Sequence, residues 1–154
     1  MKLRDFVVRE AIVDDLRAVD KESVIKELIE ALKKAGKLKA SDVEGVVKSM
    51  MKREEFGTTG IGGGKAVPHV KHDAVKEIIG TVGRSKKGVD FNALDSEPVY
   101  LFFLLVSPTD STGAHIKALQ HISDIIKDDD MCRFLREAKT KRAFIETLAE
   151  ADER

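Results

Sequence analysis

A chain of 154 residues with 27 Lys and Arg against 27 Asp and Glu carries no formal net charge. That balance excludes a general nucleic-acid binder held by a basic excess, and it excludes a polybasic membrane anchor. A 42% hydrophobic share beside 35% charged residues excludes disorder along most of the chain, and the single cysteine, Cys132, excludes an internal disulfide and any multi-cysteine zinc or iron–sulfur site.

The N-terminal residues include Lys2, Arg4, Asp5, Arg9 and Glu10 with no apolar run after them, so no secretory signal is expected. From Asp20 to Ala35, Val24, Ile25, Leu28, Ile29 and Leu32 recur at helical spacing, with Asp20 as cap and Gly36 as stop. Ser41-Asp42-Val43-Glu44 reads as a capping box opening a second helix that buries Val43, Val46, Val47 and Met50 and ends near Arg53. Gly57-Thr58-Thr59-Gly60-Ile61-Gly62-Gly63-Gly64 cannot continue that helix and reads as a tight loop with exposed backbone.

A short extended piece follows over 65–70, and Glu77 to Arg84 is strand-like. Asp90 to Asp95 offers a short strand or a turn. Val99 to Val106 is apolar on both faces, as in a central buried strand, and is far short of the roughly 20 residues needed to span a membrane. After Ser107-Pro108-Thr109-Asp110, a helix is expected with Ile116, Leu119, Ile122, Ile125 and Ile126 as its stripe. Asp130 is read as the cap of a short helix through Met131, Phe134 and Leu135. Thr140 is read as the cap of a last one carrying Phe144, Ile145 and Leu148. The pattern implies one α/β domain over 1–154, with helices on both sides of a small sheet, in the cytoplasm and without membrane insertion.

The glycine loop does not fit a nucleotide. Gly64-Lys65 is followed by Ala66, which cannot ligate Mg²⁺, and Gly60-Ile61-Gly62 meets Lys65 where the dinucleotide fingerprint needs glycine. Four histidines remain. His69 and His72 do not converge on a metal, because residues three apart on an extended segment point to opposite faces. His72 and His121 read as surface histidines. His69 follows Pro68 and lies just beyond the glycines, whose amides can approach an anion. A neutral imidazole there can accept a phosphoryl group, with Thr58, Thr59 and the loop amides as donors to its oxygens. The residues alone leave a structural histidine as the alternative. His115 falls in the first turn of a helix that Ser111 or Thr112 can cap, where an anion is favoured.

The run Arg53-Glu54-Glu55-Phe56-Gly57-Thr58-Thr59-Gly60-Ile61-Gly62-Gly63-Gly64-Lys65-Ala66-Val67-Pro68-His69 resembles the active-site signature of the phosphotransferase-system IIA family, fructose/mannitol class, which includes the nitrogen-regulatory IIA proteins. The resemblance continues through Asp90 to Val99 and Gly113 to Leu119 and covers nearly the whole chain. It implies a mixed sheet of about five strands flanked by helices. It further implies that phospho-HPr donates a phosphoryl group to His69, which passes it to a cysteine of a IIB domain on the way to a sugar. In the nitrogen-regulatory branch, partner proteins instead read the phosphorylation state. By position His115 matches the second active-site histidine and Arg53 the arginine that steadies phosphate charge. Thr58, Thr59, Gly62, Gly63 and Gly64 are the phosphoryl-binding candidates. No cofactor, metal or nucleotide belongs to the implied chemistry. Three positions depart from the pattern: Val70, expected to narrow a partner's approach; Gly63, in place of Asn or Asp; and Lys65, expected to add charge near the loop.

Overall fold

The computed structural model describes residues 1–153. Its helices are α1 (Lys21–Lys34), α2 (Val43–Glu55), α3 (Thr112–Ile126), α4 (Asp129–Glu137) and α5 (Lys141–Asp152). Its strands are β1 (Gly60–Gly62), β2 (Lys65–Ala66), β3 (His69–Lys71), β4 (Ile79–Val89) and β5 (Val99–Ser107). Short 3₁₀ turns occur at Leu3–Asp5, Arg9–Ala11 and Ala40–Asp42.

The apolar run at 99–106 becomes the central strand β5, and strand alternation sorts its side chains into two cores. Phe102, Leu104 and Val106 pack with the buried faces of α1 and α2. Leu101, Phe103 and Leu105 pack with α3, α4 and α5. Helices therefore cover both faces of a mixed five-stranded sheet.

On one side of β5 lie β2 and β3, both parallel to it, and on the other lies antiparallel β4. β2 and β3 are one edge line broken at Val67-Pro68, because proline has no amide for a ladder bond. The Pro68 carbonyl keeps the line in register by accepting from the Leu105 amide at 3.0 Å. β1 folds back on β2 as a hairpin whose turn, Gly62-Gly63-Gly64, has φ of 100°, 66° and 80°, which glycine adopts without strain. The N-terminal segment runs along the outer edge of β4, with bridges at Val7–Gly80 and Val13–Gly83.

Several local expectations hold. Asp20 caps α1 by accepting from the Ser23 amide, and Thr140 caps α5 by accepting from the Ala143 amide. Others are corrected. The Ser41–Glu44 capping box does not form: the 3₁₀ turn at Ala40–Asp42 runs directly into α2, and no side chain caps that helix. Asp128, not Asp130, caps α4, accepting from the Met131 amide at 3.0 Å, and Phe134 is half exposed beside Arg133. Asp90 to Asp95 takes the turn alternative, with a turn at Leu94-Asp95 closed by the Ser96 amide on the Ala93 carbonyl at 2.9 Å and an isolated bridge at Asp20–Asp90.

The stripe of α3 is rotated from the apolar reading. Ile116 is 57% exposed, while His115, Ala118, Ile122, Ile125 and Ile126 are buried. A polar contact belongs to that buried face: the Ser107 hydroxyl at the end of β5 bonds the His115 ring at 2.6 Å. Counting only apolar residues hides a face that includes a satisfied histidine.

Candidate functional site

Parallel pairing of β3 with β5 sets the site. His69 pairs with Leu105, Val70 with Val106 and Lys71 with Ser107. His69 and Lys71 thus share the face of Leu105 and Ser107, which α3 covers, while Val70 turns to the opposite core. The Val70 side chain is half-buried against the α1–α2 side. It does not stand beside the His69 ring, which corrects the expectation that it narrows the approach.

On the α3 face the His69 and His115 rings meet with centroids 5.5 Å apart and planes tilted by 50°. Each ring is oriented by one nitrogen. His69 Nδ1 is 2.7 Å from the Val67 carbonyl. A carbonyl only accepts, so the proton sits on Nδ1 and the Nε2 lone pair is left free. His115 Nδ1 is engaged with Ser107.

Burial lowers the His69 pKa from its ordinary value. The bond to Val67 and the charge of Glu54 act against that shift, and the charge of Arg53 adds to it. His115 is pushed down to about 4, by burial first and then by the charges of His69 and Lys71. Both imidazoles are therefore neutral near pH 7.

Cationic groups border the pair. The Arg53 guanidinium, at the end of α2, donates to the Gly57 carbonyl at 3.0 Å and acts on His69 electrostatically. The Lys71 ammonium donates to the Thr112 hydroxyl at 2.8 Å, at the first turn of α3. Among the described residues no side chain caps that turn, so its first amides have no partner within the helix and carry its partial positive charge.

The loop residues are placed differently from the sequence expectation. The Thr58 hydroxyl donates to the Phe91 carbonyl and accepts from the Gly60 amide, both at 3.1 Å. Thr59 is buried, and both its amide and its hydroxyl donate to Glu54. The glycine turn lies at the other end of the edge line, since Lys65 pairs with Leu101 whereas His69 pairs with Leu105. At about 3.3 Å per residue that separation is roughly 13 Å, so Gly62, Gly63 and Gly64 are not brought to the histidine pair. The Gly63 amide donates instead to Asp95 at 2.9 Å.

Lys65 likewise adds no charge at the site. It is buried, with its ammonium on the Ile126 carbonyl at the end of α3 and on Asp129 at the start of α4. His72 does not join the site; its Nδ1 accepts from the Ala74 amide. His121 is not a bare surface histidine, because its Nε2 bonds the buried Asp152 carboxylate at 2.8 Å. Cys132 is buried in α4, where burial pushes its thiol pKa up.

Sequence reasoning missed Lys71, Ser107 and Glu54. The first was legible as the i+2 neighbour of His69 on an extended segment. The other two depend on contacts across the fold.

Among the described residues no helix is long and apolar enough to cross a membrane. Residues 5–151 match a family model described as phosphoenolpyruvate-dependent sugar phosphotransferase system, EIIA 2. The chain is 34% identical to the nitrogen regulatory protein of Bradyrhizobium diazoefficiens over 97% of this chain and 95% of that protein. It is 32% identical to the fructose-specific EIIABC component of Bacillus subtilis over 99% of this chain, but it spans only 24% of that longer protein. The fold superposes on the crystal structure of nitrogen regulatory protein IIA-Ntr from Neisseria meningitidis with a TM-score of 0.82 and 28% identity, covering 94% of this chain and 97% of that one.

Proposed function

The chain belongs to the phosphoenolpyruvate-dependent sugar phosphotransferase system EIIA 2 family, and on that premise we propose that residues 1–154 form one phosphoryl-carrier domain with His69 as the acceptor. The observation that carries this reading is the bond from His69 Nδ1 to the Val67 carbonyl, which leaves a free lone pair on Nε2 beside a second neutral imidazole. The Nε2 lone pair attacks phosphorus on the phosphohistidine of an HPr-type carrier. The new N–P bond forms as the donor's N–P bond breaks, and the donor imidazole leaves with its electron pair.

The phosphoryl oxygens then meet His115, Arg53 and the uncapped amides of α3, with Lys71 adding positive charge at the rim. Thr58 and Thr59 contribute by shaping the loop that holds Arg53. In the forward step a IIB cysteine thiolate attacks phosphorus, an S–P bond forms, and His69 recovers its lone pair. The transfer takes place in the cytoplasm, without nucleotide or metal.

A second reading is that partner proteins sense the phosphorylation state, as in a nitrogen-regulatory IIA protein. The TM-score of 0.82 to IIA-Ntr favours it. Incubation with phosphoenolpyruvate, Enzyme I and HPr, followed by intact mass, tests the common part. An acid-labile gain of one phosphoryl group is expected on wild type and none on His69→Ala; labelling retained by His69→Ala would overturn the assignment. Offering the phosphorylated protein a IIB domain separates the two readings, since transfer to the IIB cysteine supports transport and its absence supports regulation.

A further inference from the structure

The Glu54 carboxylate is almost wholly buried, yet it lies on α2, which packs on the opposite core from the histidine pair. One oxygen accepts from the Lys21 ammonium and from the Thr59 amide, each at 3.0 Å. The other accepts from the Thr59 hydroxyl. Burying a carboxylate is costly unless it is paired and fully bonded, and here Lys21 and Thr59 meet both conditions. Lys21 is itself held over the Phe91 ring at 4.6 Å.

The bonding continues toward the site. The Thr59 carbonyl accepts from the Val67 amide at 3.0 Å, and the Val67 carbonyl accepts from His69 Nδ1 at 2.7 Å. The same turn carries Gly57, whose amide donates to the Glu54 carbonyl and whose own carbonyl holds Arg53.

We propose that Glu54, charged and paired with Lys21, is a positioning residue for His69: by clamping Thr59 it holds the Val67 peptide in the orientation that puts the His69 proton on Nδ1 and leaves Nε2 free. The role given to Nε2 rests on the phosphoryl-carrier reading; the control of the tautomer does not. Val67 precedes Pro68, which lacks an amide, so the Val67 peptide receives no ladder support from that side. The clamp on Thr59 supplies the missing constraint. Glu54→Gln removes the charge from the Lys21 pair and replaces one acceptor by a donor at nearly the same volume. Thr59→Val removes the hydroxyl bond and leaves Glu54 charged.

The test is the ¹⁵N spectrum of the His69 imidazole in unphosphorylated protein, beside the rate of phosphoryl uptake from phospho-HPr. Wild type is expected to show the Nδ1–H form alone. Both variants should show a substantial Nε2–H population, and uptake should fall roughly tenfold, the loss expected for a misaligned nucleophile. A merely structural glutamate would lower stability without moving the tautomer. Retention of the pure Nδ1–H form and of wild-type uptake in either folded variant would overturn the proposal; if Glu54→Gln does not fold, Thr59→Val decides alone. A protein that takes up no phosphoryl group but whose tautomer still depends on Glu54 would refute the carrier reading and keep this one.

Discussion

His115 and Ser107 share a 2.6 Å hydrogen bond that links the first turn of α3 to the last residue of β5. This contact holds a titratable ring inward, 5.5 Å from His69, on the face of α3 that Ala118, Ile122, Ile125 and Ile126 bury. The depressed pKa follows from the same placement, because the ring that seals the strand end has exchanged water for packed side chains.

Stability should therefore fall with acid in a defined window. Burial holds the folded His115 pKa down to about 4 against an ordinary 6.5, so the unfolded chain binds the proton first as pH drops. The penalty is absent above pH 6.5, grows between 6.5 and about 4, and is constant below; a shift of this size corresponds to about 3 kcal/mol. Urea titrations across that range should show His115→Asn flattening the slope. An unchanged slope would mean that His115 is not the proton-sensitive group.

The phosphoryl-uptake rate should be nearly level from pH 8 down to 6.5 and decline only below the ordinary histidine value. Lowering of the His69 pKa keeps Nε2 unprotonated throughout that range. A half-maximal rate above pH 6.5 in rapid-quench measurements would contradict the direction of the shift.

Arg53→Met should raise the His69 pKa in an NMR titration, since the Arg53 charge lowers it now. Uptake should drop on the order of a hundredfold, the loss typical of one transition-state stabiliser. Folding stability should change by no more than about 0.5 kcal/mol, because the side-chain bond lost to Gly57 is an exposed one.

Lys65→Met tests the placement of a charge that the sequence put beside the loop. The Ile126 carbonyl and Asp129 lose a buried ammonium, which should cost about 1–3 kcal/mol in denaturant unfolding. Uptake by the folded protein should match wild type. Slower uptake in the folded variant would return Lys65 to the site.

Arg84→Lys should be among the most damaging conservative changes. The buried guanidinium donates through Nη1 to the carbonyls of Leu135, Arg136 and Ala138, and through Nε to that of Asp14. An ammonium cannot reproduce that fork, and a loss of about 3 kcal/mol should lower the melting temperature by roughly 10 °C. A calorimetric scan with a shift under about 2 °C would show that the α4 carbonyls have other partners.

The apolar period of α1, the caps at Asp20 and Thr140, and the two-faced run of β5 were legible because each rests on local rules of spacing or capping. Ile116 and Phe134 misled because helical periodicity names a stripe but not its rotation against a neighbour. Ser41 misled because a capping box needs an extended residue before the helix, and the 3₁₀ turn occupies that place. The family signature marked His69, His115 and Arg53 as candidates, and the fold places the two histidines together.

What the sequence determined by itself is a charge-balanced composition with a single cysteine, a core large enough for one α/β unit, and a glycine-rich segment leading to Pro68-His69. Tertiary structure alone decided which of those glycines could come near the histidine. Pairing of Lys65 with Leu101 and of His69 with Leu105 draws the edge line out straight, so the hairpin turn is carried away from the ring that follows it in sequence. It also decided that α3, far along the chain, delivers His115 to that ring. Chain proximity cannot report this, because an extended segment separates near neighbours and a parallel sheet pairs distant ones.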